Sequence, residues 1–109
     1  MNNTSNSMYS TFKKVKANHV ALSPLSFLPR AANLFPNKDA VVYGERRYSW
    51  SECYNRCRSL ASAISNLGVS IGDTVSVIAA NTPEMVEAHY GIAMAGAVLN
   101  SINVRLDSD

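Results

Sequence analysis

Residues 74–102 carry the pattern that leaves this chain the fewest folds. Thr74-Val75-Ser76-Val77-Ile78-Ala79 is a β-branched run entered through the Gly72-Asp73 turn. Thr82 stands where a helix N-cap belongs, Pro83 takes the first helical position, and Glu84 complements the positive helix end. The helix is expected to run to about Ala95 and to stop at Gly96, after which Ala97-Val98-Leu99-Asn100-Ser101-Ile102 supplies another strand. Strands separated by a helix cannot close as a hairpin; they pair parallel through a right-handed crossover. This βαβ unit places the chain in the α/β class.

The upstream half reads as a helix, a hairpin and a longer helix. Ser23 is placed to cap a short helix with Pro24 at its first position, and Leu28, Ala31, Ala32 and Phe35 repeat at helical spacing. Pro29 is awkward inside such a helix, because proline removes a backbone donor and clashes one turn back. The helix therefore kinks or starts near Leu28, and Pro36-Asn37 ends it. Ala40-Val41-Val42-Tyr43, a Gly44-Glu45 turn and Arg46-Arg47-Tyr48 form a hairpin. Ser49-Trp50-Ser51-Glu52 is a capping box opening a helix with Tyr54, Cys57, Leu60, Ala61, Ile64 and Leu67 on one face. Gly68 closes it in the left-handed conformation.

Bulk properties remove several function classes. With 109 residues the chain is one domain at most, and its net charge of +2 is too small to argue for nucleic acid or an anionic membrane. Basic residues interleaved with aromatics are absent, and no apolar run approaches the roughly 20 residues of a membrane-spanning helix. Cys53 and Cys57 lie one helical turn apart without a His or Cys partner at zinc-like spacing, which reads as free thiols in a reducing compartment. Residues 1–20 read as a flexible N-terminal tail: they are hydroxyl-rich and acid-poor, but lack both a signal-peptide core and an arginine-rich amphipathic period.

Against that organisation an ordered series of residues stands out. Asn81-Thr82-Pro83-Glu84, Gly91, Ala95-Gly96-Ala97-Val98-Leu99-Asn100 and Asn103-Val104-Arg105-Leu106-Asp107 closely resemble the adenylate-forming superfamily. Leu22-Ser23-Pro24-Leu25-Ser26-Phe27-Leu28, Ala40-Val41-Val42-Tyr43-Gly44, Tyr48-Ser49-Trp50 and Gly72-Asp73-Thr74-Val75 agree with it. Within that superfamily the likeness is nearest to medium- or aryl-chain acyl-CoA synthetases of the plant and bacterial acyl-activating type. It covers about residues 18 to 107. It implies that residues 21–109 are a partial AMP-binding N-terminal subdomain, the start of the family's large N-terminal domain, with an incomplete sheet. For the full-length family it implies formation of an acyl-adenylate from ATP and a carboxylic acid, followed by transfer to coenzyme A. ATP, magnesium and coenzyme A are the cofactors it implies there.

The chemical kit of that reaction is not found in this sequence. Phosphates need a Ser/Thr/Gly-rich loop whose backbone N–H groups cradle them, and the five glycines here are isolated at turns. No residue is therefore assigned as catalytic, cofactor-binding or metal-binding, no cofactor is expected for this chain, and adenylation by it alone is not expected. His89, without a positioned carboxylate or nucleophile, reads as structural. Glu84 and Glu87, three apart on one helix, invite a magnesium reading, but acidic residues near a helix N-terminus are expected from the helix dipole. Asn103 and Arg105 end the resemblance near a strand terminus, where doubly wound folds place ligand contacts. Tyr43, Tyr48 and Trp50 read as packing between hairpin and helix.

If the chain stops at Asp109, strands 74–79 and 97–102 are expected to keep an open edge and uncovered apolar faces, giving a marginal or association-prone protein. The expected partners are then a second copy or a full-length synthetase, with nucleic acid and a transmembrane segment excluded. A truncated synthetase region, a binding or regulatory module, and one part of a split enzyme remain the functional readings. An intracellular placement is expected, cytoplasm first, with peroxisome and mitochondrion open.

Overall fold

The computed structural model describes residues 13–17 and 19–106. The expected tail, residues 1–20, lies largely outside them, as do Asp107, Ser108 and Asp109. The described chain opens its regular structure with a 3-10 turn at Pro24–Ser26, where the Ser23 hydroxyl accepts from the Leu25 amide at 3.3 Å. Helix α1 follows at Phe27–Leu34. Pro29 is accommodated because it falls in the first turn, where helix amides have no carbonyl partner to lose.

Strand β1 (Asp39–Tyr43) pairs antiparallel with β2 (Arg46–Ser49) through the Gly44-Glu45 turn, with Gly44 at φ 57°. A register irregularity between Asp39 and Val41 separates the two ends of the hairpin. Helix α2 (Trp50–Asn66) begins with both halves of the expected capping box: Glu52 N–H donates to Ser49 Oγ at 3.2 Å, and Ser49 N–H donates to Glu52 Oε2 at 2.8 Å. Gly68 at φ 91° terminates it.

The βαβ unit forms as its pattern demands. Strand β3 (Thr74–Ile78) pairs parallel with β4 (Val98–Ile102), in register from Thr74 opposite Val98 to Ile78 opposite Ile102. Helix α3 (Pro83–Met94) makes the crossover, and Gly96 at φ 79° turns the chain back. The strands are each one residue shorter than the runs read from sequence: Ala79 has no ladder partner and Ala97 is spent in the turn, its amide donating to Ile92.

Helices α2 and α3 pack against each other at the centre and serve two clusters of buried residues. Ile64, Ala88, Ile92 and Ala97 pack under Val75, Val77 and Leu99 of the parallel strands. Leu28, Cys53 and Cys57 form the other cluster, against Val41, Trp50, Tyr54, Tyr90 and Met94. Close approach of the helices depends on Gly91, since a Cβ built there would lie 2.8 Å from Leu60 Cδ2 and 3.0 Å from the Cys57 carbonyl oxygen.

Two details of the α2 face differ from the sequence pattern. Leu67, expected inside, is 84% exposed because it is the C-cap and the chain departs before its side chain can reach the core. Cys53 is buried although the face was drawn without it; α1 and the hairpin lean over the first turns of α2 and widen the covered stripe.

Candidate functional site

Open parallel α/β sheets place ligands in the crevice beyond the carboxyl ends of their strands. Here that crevice is a cleft of about 570 Å³, framed by Asn81, Met85, Ser101, Asn103, Val104 and Arg105. Asn81 arrives on the β3–α3 turn, where Thr82 N–H donates to the Ala80 carbonyl at 2.8 Å. Asn103 and Arg105 follow the last paired residue of β4, and the Asn103 side-chain oxygen accepts from the Arg105 amide at 2.9 Å. This small turn fixes the backbone while leaving the Arg105 guanidinium exposed at the rim. The cleft thus sets the amides of Asn81 and Asn103 and the permanent cation of Arg105 among apolar walls from Ala79, Ala80, Met85, Ile102 and Val104.

A separate apolar groove of about 680 Å³ runs along the exposed side of α3, between Leu25 and the Val86, His89, Tyr90 and Ala93 positions. His89 lies on the wall of this groove. Its Nδ1 is hydrogen-bonded with the Met85 carbonyl oxygen at 2.7 Å, one turn back on its own helix.

The carboxylates that could suggest magnesium are taken up by arginines. Glu84 pairs with Arg46, and this guanidinium holds the Glu84 carboxyl down to about 2, helped by the helix-end amide and the Thr82 hydroxyl. Arg46 also donates to Tyr48 Oη at 2.8 Å. Buried Glu87 receives both arms of Arg56, whose guanidinium lies 4.6 Å from the Tyr48 ring centroid. Each guanidinium is held above its ordinary range, chiefly by its carboxylate partner. The belt Glu84–Arg46–Tyr48–Arg56–Glu87 ties the hairpin and α2 to α3. It was not legible in sequence because its members are up to 38 residues apart.

The aromatic residues divide. Trp50 packs on the Cys53–Cys57 cluster as expected, and Tyr48 bridges the two arginines. Tyr43 instead is 47% exposed, on a smaller apolar hollow with Val42 and Pro83. Cys53 and Cys57 are free, buried and hydrogen-bonded to each other; that contact pulls the Cys53 thiol down and, with burial, pushes Cys57 up. Among the described residues no three His, Cys, Asp or Glu side chains converge on a point where a metal ion would sit. No helix among them is long and apolar enough to cross a membrane.

The residues present do not fit a nucleoside triphosphate. Among the described residues the positive-φ glycines, Gly44, Gly68, Gly72 and Gly96, each sit alone in a turn, and no Gly-rich run aims successive backbone N–H groups at one point.

Comparison with known proteins gives the site its context. The family profile described as AMP-binding enzyme matches residues 28–109. A peroxisomal acetate/butyrate–CoA ligase of Arabidopsis thaliana is 50% identical over 95 residues, which are 87% of this chain and 17% of that protein. A peroxisomal benzoate–CoA ligase of the same plant is 47% identical over 93 residues, 85% of this chain and 16% of that one. The chain therefore spans about a sixth of the length of the curated relatives it matches. Among solved structures, the N-terminal subdomain of NpsA from Klebsiella oxytoca superposes with a TM-score of 0.74 at 21% identity, covering 80% of this chain and 23% of that one. A Rhodopseudomonas palustris structure bearing the name of a long-chain-fatty-acid CoA ligase gives 0.74 at 31% identity, covering 79% and 22%. The α/β arrangement seen here is the fold of part of these structures.

Proposed function

The chain belongs to the AMP-binding enzyme family, and from that premise we propose that it is the N-terminal region of an ATP-dependent carboxylic acid–CoA ligase and does not turn over substrate by itself. The observation that carries this reading is the identity of up to 50%, over 93 to 95 residues of the chain, to ligases named for acetate, butyrate and benzoate. Those names fit a parent activity on short aliphatic or aryl acids, proceeding through an acyl-adenylate to the coenzyme A thioester. In that setting the Asn81–Asn103–Arg105 cleft supplies part of a ligand-facing wall. The phosphate cradle, the metal carboxylates and the acyl pocket belong to the larger remainder of such an enzyme. ATP, magnesium and coenzyme A are then cofactors of the completed enzyme. The relatives named peroxisomal make the peroxisome a compartment to examine beside the cytoplasm.

The test is a graft. Residues 19–106 are substituted for the matching segment of a curated relative, and acid-dependent AMP release and acyl-CoA formation are measured against the parent. The isolated 109-residue chain is expected to give no product, and the graft to retain at least a tenth of the parental rate. A folded graft without activity overturns the reading.

A further inference from the structure

Cys53 and Cys57 are the two cysteines of the sequence, and the fold buries both in one place. Cys53 is 3% exposed and Cys57 not at all, and both pack with Leu28 against Trp50, Tyr54, Tyr90 and Met94. The cluster is complete within this chain, since α1, the hairpin, α2 and α3 all contribute to it. A single buried cysteine packs as a small apolar residue. Two thiols in contact on one helix face make a chelate.

Their spacing decides which chemistry the pair can do. On an unbroken helix, residues four apart hold their Cβ atoms about 5–6 Å from each other, whereas a disulfide needs them at roughly 3.5–4.5 Å. Helix α2 is continuous from Trp50 to Asn66, so a disulfide would have to deform it. A metal ion between the sulfurs makes the opposite demand. Two metal–sulfur bonds of about 2.3 Å, drawn in line, set the sulfurs about 4.6 Å apart, which the side chains can span with the helix intact.

The donors then select the metal. Zinc asks for four ligands in a tetrahedron, and no third His, Cys, Asp or Glu side chain joins the two thiols among the described residues. Sulfur donors in an apolar pocket favour a soft ion, and Cu(I) is the soft ion that two ligands satisfy. Met94, packed against the cluster, brings a thioether, which is a soft donor as well. Binding is a proton exchange with no redox step: Cu(I) gains two bonds to sulfur, and the two thiol protons leave to the buffer. The complex carries one negative charge, which Arg56 favours and Glu87 opposes, so the metal–sulfur bonds must outweigh its burial. The ion's way in is past α1, a helix of eight residues with one buried side chain, Leu28.

We propose that Cys53 and Cys57 form a buried dithiolate site for Cu(I) on one face of α2. The site does not depend on the ligase reading, and no step of that activity uses these thiols.

The experiment titrates the full 109-residue chain, reduced and free of oxygen, against the coloured Cu(I)–bicinchoninate complex. The chain should withdraw one equivalent of copper and keep it through desalting. X-ray absorption at the copper edge should show a sulfur shell at about 2.3 Å. The thermal midpoint should rise by several degrees, because an ion held by the folded state stabilises it. Cys53→Ala and Cys57→Ala should each lower the affinity at least tenfold, and Ser62→Ala, on the exposed side of α2, should leave it unchanged. Circular dichroism checks each fold, and if an alanine disturbs it, the wild-type absorption spectrum and midpoint decide. No withdrawal of copper, a nitrogen or oxygen shell, one ion bridging two chains in native mass spectrometry, or copper retained by both alanine variants overturns the site. So does a midpoint that falls on adding copper, since the ion would then prefer the thiols of the unfolded chain.

Discussion

Replacing Gly91 with alanine sets two well-measured effects against each other. Inside a helix alanine is better than glycine by about 1 kcal/mol, so propensity alone makes Gly91→Ala stabilising. The structure argues for the opposite sign. The added Cβ would lie 2.8 Å from Leu60 Cδ2, 2.9 Å from Leu60 Cγ and 3.0 Å from the Cys57 carbonyl oxygen. Leu60 can swing away only by giving up its place against the buried Ile64–Ile92 cluster. The Cys57 carbonyl is helix backbone and moves only if α2 moves. Overpacking of this kind costs about 1–3 kcal/mol, which leaves a net loss centred near 1 kcal/mol after the propensity gain. For a chain of this size that is a fall of about 4–8 °C in thermal midpoint, read by circular dichroism. Because the clash is shared with Leu60, the cost should shrink by about 0.5–2 kcal/mol in a Leu60→Ala background. A midpoint that rises by several degrees in Gly91→Ala would refute the close-packing argument, and a cost indifferent to Leu60 would place the clash on the α2 backbone alone.

Other perturbations test the remaining joints. Ser49→Ala removes half of the capping box and should cost about 1 kcal/mol in urea denaturation, whereas Ser62→Ala on the exposed side of α2 should cost little. Leu28 is the buried residue of α1, so Leu28→Ala should cost about 2–5 kcal/mol and speed labelling of Cys57, which has no exposed surface in the native fold. The Glu84 carboxyl should titrate near 2 by NMR and move toward the ordinary value of about 4.3 in Arg46→Ala. Since its folded pKa is depressed, the Arg46–Glu84 contribution is present above about pH 5 and is lost as pH falls toward 2, a loss Arg46→Ala should not show.

Much of the fold was legible because its signals are local. Ser49 and Glu52 sit three residues apart and cap α2 between themselves, and Thr82, Pro83 and Gly96 bracket α3, with Thr82 at the N-cap position although its side chain makes no cap bond. The β-branched runs on either side then have one parallel solution. Pro29 could not be placed from sequence because its cost depends on whether α1 starts two or five residues earlier. Leu67 was misread because the 3.6-residue period does not say where the cap falls. For the candidate site, Asn103 and Arg105 could be assigned to a strand end, but their sharing of a cleft with Asn81 and Met85 needs the register of β3 on β4. The arginine belt required contacts between segments 31 and 38 residues apart. The pattern of single residues carries no trace of such pairings.

The division of labour in α3 bears on how the chain would respond to being cut. The segment between α2 and β3 has the look of a seam, with Gly68 and Gly72 in open surroundings and Leu67 and Ile71 largely exposed, and a protease would find it. Yet Tyr90 and Met94 of α3 help close the cluster around Leu28, Cys53 and Cys57, while Ile64 of α2 helps close the cluster under the parallel strands. Each half of the chain thus holds a piece of the other's interior. A nick in that segment should yield two fragments that stay together through gel filtration and separate only in denaturant, because neither half possesses a finished interior of its own.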